Sequence, residues 1–72
     1  KGDVDKQMRA ADAEVVAGAP EKAFDRLIET MKTTAGDEKA RVRERLLELF
    51  GLFEGNDPRV MEARTKLASA LY

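Results

Sequence analysis

Neither histidine nor cysteine occurs among the 72 residues, so the commonest general base, the commonest metal ligand and the thiol nucleophile are all missing. Chemistry would fall to carboxylates, lysines, Ser69 and Tyr72. Asp12 with Glu14, and Glu44 with Glu48, form carboxylate pairs of the kind that a solvated helix face supplies routinely. Ser69 has no histidine anywhere in the chain to take its proton, which excludes a hydrolase triad built from these residues alone. Gly55-Asn56-Asp57-Pro58 lacks the alternating oxygen ligands and closing glutamate of a calcium loop and reads as a turn. The five glycines are scattered, with none placed to cradle a phosphate. The chain is therefore expected to be no enzyme and to hold no cofactor or metal.

Binding remains. Thirteen basic against fourteen acidic residues leave a formal charge of −1, which removes the broad electrostatic reason for a nucleic-acid or anionic-membrane partner. Arg41, Arg43 and Arg45 suggest a phosphate-binding stripe, but at about 100° per residue Arg43 points away from the other two. Glu44 and Glu48 lie within one turn of Arg41 and Arg45 and would offset their field. No apolar run approaches the ~20 residues that cross a bilayer. The absence of cysteine excludes disulfides without fixing a compartment.

The elements that position these residues follow from the spacing of apolar ones. Apolar residues make up 43% and charged residues 38% of the chain, with two prolines and no alternating run, so an all-α domain is expected. Asp3 is a candidate N-cap for a first helix whose Val4, Met8, Ala11 and Val15 share one thin face. Gly18-Ala19-Pro20 reads as a tight turn, with glycine ending one helix and proline opening the next. Phe24, Leu27, Ile28 and Met31 line the second helix, with Ala23 beside them where two helices can approach closely. Asp37 is read as the cap of a third helix whose Val42, Leu46, Leu49, Phe50 and Phe53 form the widest apolar face, which predicts that this helix is the centre of the core. Gly51 falls inside that run and is read as a point of close packing against a neighbour. Gly55 stops the third helix, Asp57 caps the fourth and Pro58 begins it, with Val60, Ala63, Leu67, Ala70 and Leu71 facing inward. Val60, Met61, Leu67, Ala68 and Leu71 cover more than one stripe, so some apolar area should remain for a partner. The expected architecture is four short antiparallel helices.

Ala10-Ala11, the Gly18-Ala19 turn and Glu21-Lys22-Ala23-Phe24 followed by Leu27 resemble one tetratricopeptide repeat, with helical hairpins as its unit. The aromatic expected early in the first helix is replaced by Gln7, and Ala35 stands where a proline often closes the repeat. Arg43-x-x-Leu46-Leu47-x-Leu49-Phe50, Asp57-Pro58 and Arg64-x-x-Leu67-Ala68-x-Ala70-Leu71-Tyr72 are similar to the C-terminal region of bacterial thioredoxin-like co-chaperones that carry such repeats, the YbbN or CnoX type.

That resemblance implies a single domain over residues 1–72, cut from the C-terminal end of a longer cytoplasmic thioredoxin-like protein that takes part in redox homeostasis. It implies protein partners: unfolded clients, a chaperonin and the parent's thioredoxin-fold domain. The last helix would be the docking element, carried by Arg64, Leu67, Leu71 and Tyr72, to which the spare apolar area adds Met61 and Ala68. An isolated copy with uncovered apolar surface is also expected to be able to form a homodimer. The rival readings are a structural domain that packs on the parent's other domain and, behind it, a helical nucleic-acid-binding module.

Overall fold

A computed structural model describes the backbone of residues 2–71 and the side chains of residues 3–70. Four helices follow one another: α1 (Gly2–Val16), α2 (Pro20–Lys32), α3 (Gly36–Phe50) and α4 (Pro58–Leu71). The boundaries have local causes. Gly18 takes φ +86° and Gly36 takes φ +62°, a left-handed backbone that costs a residue with a Cβ about 1–2 kcal/mol. Pro20 opens α2, where its missing N–H leaves nothing unpaired.

The core consists of the apolar stripes expected from spacing. Val4 and Ala11 from α1, Ala23, Phe24, Leu27, Ile28 and Met31 from α2, Val42, Leu46, Leu49 and Phe50 from α3, and Val60, Ala63 and Leu67 from α4 are all buried. Met8, Val15, Phe53 and Ala70 pack around them. The first helix's thin face is thus fully used. Phe24 joins the two halves of the chain, its ring meeting Phe50 edge-on at 5.0 Å and Phe53 at 5.9 Å between centroids, the geometry that aromatic quadrupoles favour.

Four expectations need correction. The centre of the core is α2, which packs against α1, α3 and α4, whereas α3 and α4 barely touch each other. Apolar width along the chain does not measure how many neighbours a helix has. Asp3 and Asp37 are not N-caps: α1 and α3 begin one residue earlier, so both carboxylates sit in a first turn, where the helix dipole favours them as well. The third helix ends at Phe50, and Leu52 and Phe53 continue in tight i→i−3 turns, Leu52 N–H donating to the Leu49 carbonyl and Phe53 N–H to that of Phe50. Gly51 meets no neighbouring helix, since a Cβ there would touch only the carbonyl oxygens of Glu48 and Leu47 in its own chain.

The whole is a slab of 32 × 28 × 15 Å. Its thin dimension is little more than one helix with its side chains. Each helix therefore keeps a large solvent-facing side.

Candidate protein-interaction surface

Asp57 fixes the start of α4. Its Oδ1 accepts from the Arg59 backbone N–H at 2.9 Å, an N-cap bond, and both carboxylate oxygens accept from the Arg59 guanidinium at 3.1 and 2.9 Å. These bonds hold the Asp57 carboxyl down at about 2, from an ordinary value of 3.8. The Arg59 guanidinium lies over the Phe53 ring, 5.4 Å from its centroid. One turn later the Arg64 guanidinium lies over the Phe50 ring at 5.2 Å. Two cation–π contacts thus tie the start of α4 to the end of α3 where few apolar contacts do so.

From that start, two stripes run along α4. Val60, Ala63 and Leu67, spaced i, i+3, i+7, are buried. Met61, Arg64 and Ala68 repeat the same spacing one residue later, rotated by about 100°, and are exposed. Met61 is 54% exposed. Of the residues singled out for partner binding, the structure thus brings Met61, Arg64 and Ala68 together on one flank. It places Leu67 in the core, 8% exposed, because Leu67 belongs to the inner stripe. The Leu71 side chain and Tyr72 lie outside the described residues.

The α3 side of this junction was not singled out from the sequence as a binding surface. Leu47, one turn before Phe50, is 44% exposed, and Leu52 in the connecting turn is 66% exposed. Arg43 is exposed on α3, and neither Arg43 nor Arg64 makes an ion pair among the described residues. Arg41 and Arg45 do: Arg41 reaches Asp5 at 2.8 Å, and Arg45 reaches Asp12 at 3.9 Å and Glu48 at 3.6 Å. Arg45 is thus answered by Glu48 on its own helix as expected, whereas Arg41 is answered by Asp5 on α1 instead of Glu44. The available signal for Arg43 was its own helix: one turn away on either side stand Lys39, Ala40, Leu46 and Leu47, none of them acidic.

The opposite end of the slab carries a different arrangement. The Arg26 guanidinium donates to both oxygens of Glu14 at 2.9 and 2.8 Å and to Gln7 Oε1 at 2.8 Å. The Arg26 bond holds the Glu14 carboxyl below its usual range against the effect of partial burial, and Arg26 is raised in return. This clasp lies in an open groove of about 860 Å³ between α1 and α2, whose rim includes Asp3, Asp25, Glu29 and Glu38. Periodicity within either helix does not reveal the clasp, since it depends on how the two helices cross. Among the described residues no cluster of three or more acids could hold a metal ion, and no helix is long and apolar enough to cross a membrane.

Comparison with known proteins agrees with this geometry. The family model for the tetratricopeptide repeat matches residues 1–72. Two relatives, Uncharacterized protein Mb1359 of Mycobacterium bovis and Uncharacterized protein Rv1324 of Mycobacterium tuberculosis, are each 47% identical over 70 residues, which is 97% of this chain and 23% of theirs. The chain thus spans about a quarter of the length of the curated relatives it matches. No solved structure matches it. With the repeat's alanines, Ala11 and Ala23, both fully buried and its turn at Gly18 in place, the chain belongs to the tetratricopeptide-repeat family.

Proposed function

We propose that this domain is a non-catalytic protein-interaction module, the C-terminal part of a thioredoxin-like bacterial co-chaperone of the cytoplasm, and that α4 is its docking element for a chaperonin and for unfolding clients. The observation that carries the reading is the exposed stripe of Met61, Arg64 and Ala68 beside a fully used core. Val60, Ala63 and Leu67 already supply the core face of this helix, so the exposed Met61 and Ala68 add apolar area that the core does not use, beside the Arg64 guanidinium that lies on Phe50. Membership of a repeat family whose helices serve protein recognition supports the general reading. A match confined to 23% of the relatives' length leaves room in them for a further domain, and the terminal signature from Arg64 onward favours a thioredoxin fold there.

The test is retention of the chain by immobilised chaperonin, together with suppression of aggregation of a urea-denatured client. Removing Thr65–Tyr72 would also remove Leu67 from the core, so surface changes are the better probe. Met61→Ser with Arg64→Glu is expected to abolish retention while the helical circular-dichroism signal stays. Normal retention by that variant would contradict the docking role of α4.

A further inference from the structure

The connections between the helices differ in length. Residues 17–19 join α1 to α2 and residues 33–35 join α2 to α3, three residues in each case, whereas residues 51–57 give the α3–α4 connection seven. The short ones are also conformationally fixed, with Gly18 inside the first and Gly36 directly after the second in left-handed backbone. They hold α1, α2 and α3 as one unit. The long connection carries Gly51 and Gly55. Its backbone N–H groups donate only to nearby carbonyls: Gly51 to Leu47 and Glu48, Leu52 to Leu49, Phe53 to Phe50 and Asp57 to Glu54.

The helix at the end of this connection has the fewest neighbours. Helices α1 and α3 each pack on α2 and on one another, while α4 packs on α2 and barely touches α3. Its seat is made by the inner stripe of Val60, Ala63 and Leu67, by the Arg64 guanidinium on the Phe50 ring and by an ion pair from Lys66 to Asp25 at 3.1 Å. One edge of the α2–α4 seam opens to solvent as a groove of about 520 Å³, whose lining includes Ile28, Lys32, Thr65 and Ser69. The cap that starts α4 travels with it, because Asp57 bonds to Arg59 only two residues away. Nothing that forms α4 depends on which copy of α2 it lies against.

We propose that α4 exchanges between two copies of this chain, each copy's α4 seating on the α2 of the other, so that the partner is a second copy held by a swapped helix. The seat itself names the occupant. Its contacts all run between α4 and the rest of the chain, so a second copy's α4 remakes them unchanged, and only the connection alters. Straightened, seven residues reach about 25 Å, well beyond the 15 Å thickness of the slab. Straightening gives up the Phe53 ring's contact with Phe24. The exchange is independent of what docks on Met61 and Ala68, which lie about 100° round the helix from the seat.

The test exploits a chain without cysteine. Asp25→Cys and Lys66→Cys, both at an exposed ion pair, are made in separate preparations, mixed, unfolded in urea at high protein concentration, refolded together and treated with a short bis-maleimide. A covalent heterodimer should form, in at least about tenfold greater yield than from Asp25→Cys mixed with Lys6→Cys, because position 66 is held beside position 25 of the other copy while α1 stays with its own. The unsubstituted chain refolded in the same way should sediment in part as a dimer, and Leu47→Ser with Met61→Ser should leave that dimer intact. Sedimentation as monomer alone, or equal cross-linking in the two mixtures, would overturn the proposal. So would a dimer that Leu47→Ser with Met61→Ser dissolves, since outer faces and not an exchanged helix would then hold it.

Discussion

At the α1–α2 end, an arginine is gripped by a glutamate and a glutamine, and the groove beside it is rimmed by polar and charged side chains. At the α3–α4 end, an arginine lies on a phenylalanine ring between a leucine and a methionine left in solvent. Both ends are built from helices of 13 to 15 residues. The first holds its arginine in a bidentate ion pair beside a charged rim, whereas the second leaves Leu47, Leu52 and Met61 in solvent. The difference lies in what each end offers to solvent: charged and polar side chains at one, large apolar side chains at the other.

The largest expected effect erases the contrast altogether. Phe24 touches both Phe50 and Phe53, and Phe24→Ala should cost about 3–5 kcal/mol, enough to unfold a domain this small, as read by urea denaturation. Leu67→Ala should cost about 2–5 kcal/mol in the same measurement, which separates the inner stripe of α4 from the outer one. Gly18→Ala, forcing a Cβ onto a φ of +86°, should lose about 1–2 kcal/mol, seen as a lowered melting temperature.

Acid should act at both ends, by a few degrees of melting temperature. Glu14, clasped by Arg26, and Asp57, bonded to Arg59, both have carboxyls held below their ordinary values of 4.5 and 3.8. A depressed carboxyl contributes stability that is complete above its unfolded-state pKa and fades as the pH falls through the folded one. Melting temperature should therefore drop between pH 5 and about 2, and Asp57→Asn should flatten the lowest part of that slope, since Asp57 titrates at about 2. The smallest effect on stability sharpens the comparison most: Leu47→Ser with Met61→Ser should change unfolding by no more than about 0.5 kcal/mol per site, because neither is needed by the core.

Periodicity was sufficient for the four helices and nearly all of the core, because apolar spacing at i, i+3 and i+4 is what burial selects. It was insufficient wherever two physical effects share one residue type. Aspartate suits both a cap and a first helical turn, and Asp3 and Asp37 are each the second residue of their helix, two positions past the cap, whereas Asp57, followed by Pro58, is the cap itself. Phe53 continues the spacing of α3 although the backbone has already tightened beyond Phe50. For the candidate surface, spacing makes Met61 and Ala68 legible as surplus apolar area, Arg64 enters only through the family resemblance, and Leu67, which fits both faces, is placed by its burial. The exposure of Leu47 is not legible in the sequence, because which side of α3 is covered depends on how it packs against α2, a tertiary fact that the helix does not encode alone.

The three methionines report on the contrast directly: Met8 in α1, Met31 fully buried in α2 and Met61 exposed on α4. With methyl-labelled methionine, addition of chaperonin or of a denatured client should broaden or shift the Met61 methyl resonance while those of Met8 and Met31 hold their positions. A response confined to Met8, with Met61 unchanged, would place the partner at the other end of the molecule and contradict the docking role of α4.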